Sequence, residues 1–144
     1  MIAAPEKNNE IIEANDQISS NHLKLIDATI ETIAARGLAD TTIAHVAKKA
    51  GVSQGYANFK FKSKENLLLS SLQYLSDEYK SSWQSIFEEK NLDPIDRILR
   101  ILDNDFSEKI ANRNKISVWM AFYSEVKFRP SYLTICQRQD EIYS

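Results

Sequence analysis

Residues 47–64 read AKKAGVSQGYANFKFKSK, and this stretch decides how the rest of the chain is understood. Lys48, Lys49, Lys60, Lys62 and Lys64 gather around a glycine turn, and no Asp or Glu occurs between Thr41 and Lys64. Ala47, Gly51 and Val52 have the spacing of a helix-turn-helix. A small residue lets two helices approach, glycine permits a left-handed turn, and an apolar residue locks the second helix. The first helix of the unit, DTTIAHVAKKAG, is expected to be capped by Thr41 or Thr42 and to bury Ile43, Val46, Ala47 and Ala50. The second begins after Ser53 as N-cap and turns Ala57 and Phe61 inward.

In such a unit the N-terminal part of the second helix enters the major groove of DNA. Here it presents Gln54, Gly55 and Tyr56, then Asn58, Phe59 and Lys60. Gln and Asn suit bidentate bonds to adenine, aromatic rings suit the thymine methyl, and Lys suits guanine or phosphate. Solvated helix faces usually mix charge signs, so five lysines without an acid favour a polyanion as partner. The whole chain gives no such hint. Its net charge is −2, so outside this +5 block the remainder carries −7.

Composition narrows the fold. The 144 residues include only three glycines and three prolines, with 43% hydrophobic and 26% charged residues. That balance predicts an all-α protein of long helices with a buried core. No apolar run approaches the ~18–20 residues that span a bilayer. No signal peptide is evident, and the single cysteine, Cys136, excludes an intrachain disulfide; both features suit a reducing, cytoplasmic setting.

Upstream, residues 1–18 read as a flexible polar lead-in. A helix over about 19–36 carries Leu23, Ile26, Ile30, Ile33 and Ala34 on one stripe and ends at Gly37. Downstream, Ser63 caps a helix of about 25 residues with Glu65 in its first turn and a stripe of Leu68, Leu72, Leu75, Tyr79, Trp83 and Ile86. Asp93-Pro94 restarts the chain, an N-cap followed by proline at the first helical position. The next helix presents Ile95, Ile98, Leu99, Leu102, Phe106 and Ile110. Residues 115–128 (KISVWMAFYSEVKF) are apolar on most faces and read as a helix central to a bundle. Another helix starts after Pro130. The expected division is therefore 1–18 lead-in, 19–62 DNA-binding domain and 63–144 helical bundle.

The stretch LIDATIETIAARGLADTTIAHVAKKAGVSQGYANFKFKSKENLL resembles the N-terminal domain of TetR-type transcriptional repressors. Its signature is Thr-Ile-x-x-Val-Ala before Ala-Gly-Val-Ser, followed by an aromatic residue, a lysine and Glu-x-Leu-Leu. The later stretch DRILRILDNDFSEKIANRNKISVWMAFYSEVKFRPSY is similar to the second domain of repressors of choline-to-glycine-betaine genes, through Trp119, Ala121, Phe122 and Arg129-Pro130. The resemblance implies that Thr42 and Lys64 hold phosphates and that Gln54, Tyr56, Asn58, Phe59 and Lys60 face the groove. Thr41, Lys48, Ser53 and Gly55 complete the candidate DNA-binding set. It also implies a small-molecule effector, with choline or a related quaternary ammonium as the sharpest guess. Trp83, Phe106, Trp119, Phe122 and Tyr123 are the aromatic residues that could cage such a cation. Family members pair through two further C-terminal helices, so the resemblance implies that 63–144 is a ligand-sensing, regulatory domain incomplete at its C-terminal end, and that the family's homodimer would have to form without those helices.

Neither His22 nor His45 has a partner at metal-ligand spacing, and no nucleophile–base pair or phosphate loop occurs, so no metal, cofactor or enzymatic activity is expected. The competing expectation is a helical interaction module of the same fold without specific DNA binding.

Overall fold

The computed structural model describes the backbone of residues 5–140 and the side chains of 19–137. Among the described residues the elements are all helical: α1 (Pro5–Arg36), α2 (Ile43–Ala50), α3 (Gln54–Phe61), α4 (Lys64–Glu88), α5 (Pro94–Asp105), α6 (Glu108–Ala111), α7 (Arg113–Glu125) and α8 (Pro130–Asp140). The first helix starts at Pro5, so helical backbone runs through much of the segment read as a lead-in.

Local chemistry places most of the boundaries. Thr42 Oγ1 accepts from the His45 amide, Ser53 Oγ from Tyr56, and Ser63 Oγ from Asn66, each at 3.1 Å. Asp93 caps α5 through Ile95 N at 2.8 Å, ahead of Pro94. These side chains satisfy amides that the first helical turn leaves without partners. Gly51 ends α2 at φ 70°, ψ 28°. Across it Val52 N–H donates to the Ala47 carbonyl at 3.1 Å and Gly51 N–H to Lys48 at 3.3 Å, a Schellman closure.

One buried core runs through the chain. Leu25, Ile26, Ile30 and Ile33 of α1 meet Val46 and Ala47 of α2 and Ala57 and Phe61 of α3. Leu67, Leu68, Leu72 and Leu75 of α4 continue it to Val118 and Phe122 of α7 and Tyr132 of α8. The α1 stripe differs from expectation: Leu23 is exposed and Leu25 fully buried. The reason is that α1 packs against α2, α4 and α7 together, which widens its buried face beyond one stripe. Thr29 and Thr32 on that widened face donate to the carbonyls of Leu25 and Ala28 at 2.6 Å.

Two expectations for residues 63–144 change. Residues 115–128 are not enclosed on most faces: only Val118 and Phe122 of α7 are buried, while Ile116, Met120 and Tyr123 are exposed. The α5 stripe is also uncovered, with Ile95, Ile98, Leu99 and Leu102 on the surface. Polar contacts attach α5 to α4 instead. Trp83 Nε1 donates to Asp105 at 3.1 Å, Asn104 Nδ2 to Ser82 at 3.0 Å, and Arg97 to the Glu89 carbonyl at 3.0 Å. A largely buried ion pair, Lys115 to Glu78 at 2.6 Å, ties α7 to α4.

Two glycines should respond oppositely to alanine. Gly51→Ala forces a side chain into left-handed backbone and should cost about 1–2 kcal/mol, although its Cβ would meet nothing within 4 Å. Gly55→Ala lies in a right-handed helix, also with open space, and should stabilise by about 0.5–1 kcal/mol. Thermal or urea unfolding of the two variants checks both signs.

His22 makes stability pH-dependent. Its ring stacks on Phe61 at 5.3 Å between centroids, and burial, then Lys60, hold its pKa below the ordinary 6.5. The unfolded chain therefore binds this proton more readily, so the contribution is complete above pH 6.5 and is lost as pH falls below it. Replacing His22 with Phe should flatten that part of the stability–pH curve in urea titrations.

Candidate nucleic-acid interface

The α2–α3 pair presents one exposed edge. Gln54, Gly55, Asn58, Phe59 and Lys60 of α3 face solvent, and Phe59 is 80% exposed. Ala57 and Phe61, at 1% and 5% exposure, hold the opposite side in the core. At this exposure, on a short and well-anchored helix, Phe59 has no packing role among the described residues. With Asn58 and Lys60 beside it, it suits the base edges and methyl groups of a groove.

The candidate residues do not all reach that edge. Thr42 is exposed and caps α2, but Thr41 is fully buried and its hydroxyl donates to the Gly37 carbonyl at 2.7 Å. Its side chain closes the α1–α2 turn and is not presented to a phosphate. Tyr56 is half-buried against the core, and its hydroxyl is enclosed without a hydrogen-bond partner among the described residues. Ser53 acts as a cap and stays exposed. The Lys64 ammonium donates to the Ala39 carbonyl at 2.7 Å, which pins the start of α4 to the α1–α2 turn.

Four of the five lysines divide between two shallow clefts. Lys48 and Lys49 share one between α1 and α2 with Arg36 and His45, and Lys49 also pairs with Glu31 at 3.0 Å. Lys60 and Lys62 share another with His22, Phe61 and Asn66. Arg36 was not among the expected contacts. A basic residue in the last turn of a helix reads as complementing the helix dipole, and only the fold sets it beside Lys48. Lys62 stands at φ 66°, a left-handed position where glycine would be easier, yet the residue is a cation beside the exposed edge.

The aromatic residues proposed for a cation cage do not converge. Phe122 is fully buried and meets Tyr132 edge-on at 5.0 Å. Phe106 is 82% exposed at the end of α5, and Trp83 stacks on Phe87 at 5.8 Å. Only Trp119 and Tyr123 adjoin, at 6.0 Å on neighbouring turns of α7.

The comparisons with known proteins fit this exposed helix pair. The family described as bacterial regulatory proteins, tetR family, matches residues 25–70, which hold α2, α3 and the start of α4. The HTH-type transcriptional regulator BetI of Stenotrophomonas maltophilia is 30% identical over 118 residues, covering 82% of this chain and 60% of that protein.

Residues 25–70 carry the TetR-family domain.

A second similar protein, BetI 1 of Chromohalobacter salexigens, is 36% identical over 107 residues, covering 74% of this chain and 53% of the relative. The chain thus spans between half and two-thirds of the length of these TetR relatives. Solved structures show the same fold. A transcriptional regulator from Saccharomonospora viridis, solved in complex with choline, superposes with TM-score 0.72 at 19% identity, covering 87% of this chain and 65% of that one. One from Rhodococcus sp. RHA1 gives 0.68 at 23% identity, covering 82% and 62%. Among the described residues, no helix is long and apolar enough to cross a membrane, and no group of three metal-ligating side chains gathers.

Two phenylalanines two residues apart test the assignment of edge and core. Phe59→Ala should leave unfolding free energy within about 0.5 kcal/mol of the parent and weaken DNA binding. Phe61→Ala should cost about 3–5 kcal/mol in unfolding, because it empties a buried site. Unfolding and fluorescence-anisotropy titrations on both variants separate these outcomes.

Proposed function

We propose that this chain is a DNA-binding transcriptional repressor of the TetR type, regulatory and not enzymatic, whose hold on operator DNA is relieved by a small-molecule ligand. The observation that carries the reading is the exposed face of α3. Asn58, Phe59 and Lys60 stand clear of the core on a helix fixed at both ends, within a stretch from Thr41 to Lys64 that holds five lysines and no Asp or Glu. The names of the BetI relatives and the choline complex of the Saccharomonospora viridis structure support choline or a related quaternary ammonium as the ligand. A symmetric dimer on a palindromic operator, in the cytoplasm, completes the reading.

The core gives α4 a natural part in the response. Its first turn is bound to the α1–α2 turn through Lys64, and Glu65 in the same turn pairs with Arg129 at 3.1 Å. Arg129 also reaches Glu125 at 3.5 Å and lies over the Tyr132 ring at 5.4 Å. A shift of the α7–α8 corner would therefore pull on the helix that carries the DNA-binding unit. These pairs are close to half exposed, so each contributes at most about 1 kcal/mol and can yield to a ligand.

The uncovered α5 stripe favours a second reading, a helical module that binds protein and has lost specific DNA recognition. Selection of genomic fragments on the purified chain at two salt concentrations distinguishes the two. The repressor reading expects one enriched palindrome whose affinity falls with salt. If about four phosphates are neutralised per half-site, the log–log slope should be near −3.6 per half-site. Asn58→Ala should cost about 1–3 kcal/mol at one base position only. A flat salt response, or no enriched sequence, overturns the repressor reading in favour of the module.

A further inference from the structure

We propose that the open cleft between α1, α4 and α8 binds a small organic cation and that His22 passes its occupancy to the recognition helix α3. The cleft encloses about 660 Å³ and is lined by His22, Leu69, Tyr74, Asp77, Thr134 and Ile135, with three further polar residues. The proposal rests on the effector part of the function above but places the effector away from the aromatic residues of α5 and α7, none of which lines this cleft.

The lining selects the ligand class. Leu69, Ile135 and the Tyr74 ring offer an apolar wall, and Ser70, Ser131 and Thr134 offer hydroxyls. Asp77 is the acid of the lining, which contains no lysine or arginine. Its carboxylate is oriented by Gln73, whose amide donates at 2.7 Å. The surroundings are negative as well. Burial first, then the carboxylates of Glu78 and Asp27, push the Tyr74 hydroxyl above its ordinary range. An anion entering here meets the Asp77 carboxylate, with no lysine or arginine in the lining to offset it. A compact cation with an apolar body gains Coulomb attraction to Asp77 and a favourable approach to the Tyr74 ring.

The connection to α3 runs through one ring. His22 lines this cleft and also the neighbouring one that contains Lys60, Phe61 and Lys62. Its imidazole stacks on Phe61, with 24° between the planes, and Phe61 is the residue that anchors the end of α3 in the core. Its Nδ1 is enclosed with no hydrogen-bond partner among the described residues. A buried polar atom in that state costs free energy until something satisfies it, and a ligand hydroxyl can do so. Turning the imidazole toward a ligand alters its stack on Phe61, and so the seating of α3. The DNA-reading face lies on that helix, and the effector would act on it without passing through the whole bundle.

The test is an amide-resolved NMR titration of the full chain with choline chloride, against sodium acetate at matched ionic strength. The expected result is saturating shifts with choline at Ser70, Tyr74, Asp77 and Thr134, extending to Phe61 and Lys62, and none of these with acetate. Asp77→Asn, a change at an exposed residue, should weaken choline about fivefold. His22→Gln should abolish the shifts at Phe61 and Lys62 while those at Asp77 and Thr134 persist. Saturating shifts confined to Trp119 and Tyr123 would overturn the cleft while leaving an effector-responsive repressor intact. No shifts at millimolar choline would overturn the cation site, and operator selection would then decide the repressor reading separately. Persistent shifts at Phe61 in His22→Gln would overturn the relay.

Discussion

The hydrogen bond from Val52 N–H to the Ala47 carbonyl, closed across left-handed Gly51, is the constraint on which the molecule's working surface depends. A residue with a Cβ at Gly51 would strain the turn, and a longer connection would let α3 roll about its own axis. With the turn closed, Val46, Ala47, Ala57 and Phe61 share one buried face. Asn58, Phe59 and Lys60 are then obliged to point outward. The exposure of Phe59 is thus a consequence of how firmly Ala57 and Phe61, two residues away on either side, are buried.

The second organising element is α4, which at 25 residues is about 38 Å long at the usual helical rise. Leu67, Leu68, Leu72 and Leu75 all belong to the one core cluster, and α4 packs against α1 and α3 as well as against α7 and α8. One rigid helix therefore takes part in both halves of the core. That continuity makes mechanical coupling between them cheap, because no flexible linker dissipates a displacement. The contacts that bind the α7–α8 corner to its first turn are solvent-accessible ion pairs, which can reform in another arrangement more readily than packed side chains. A strong core along α4 with weak latches at its start suits a protein with two operating states.

Legibility followed the range of the interaction. Thr42, Ser53, Ser63 and Asp93 were readable as caps because each bonds an amide two or three residues away. Gly51 was readable for the same reason. The distinction between Thr41 and Thr42 was not, since it turns on which hydroxyl the α1–α2 turn draws inward. Likewise the choice of Leu25 over Leu23 depends on α7 and α4 arriving at α1 from distant parts of the chain. The aromatic set failed to assemble because helical spacing tells which residues share a face and not which faces meet. Phe122 and Tyr123 are neighbours in sequence, yet one is in the core and the other on the surface.

The sequence by itself determined the helices, their caps, the glycine turn and the acid-free lysine block, and through these the TetR-family domain and the helix proposed to read DNA. All of them rest on short-range backbone hydrogen bonds, local sterics or plain charge counting. The tertiary structure alone decided that Thr41 and half of Tyr56 turn inward, that Arg36 joins Lys48 in one cleft, and that the α5 stripe stays open. It alone set His22 between an acidic cleft and Phe61. These are meetings of side chains from separate helices, fixed by how the core excludes water and fills its volume, and no local pattern carries that information.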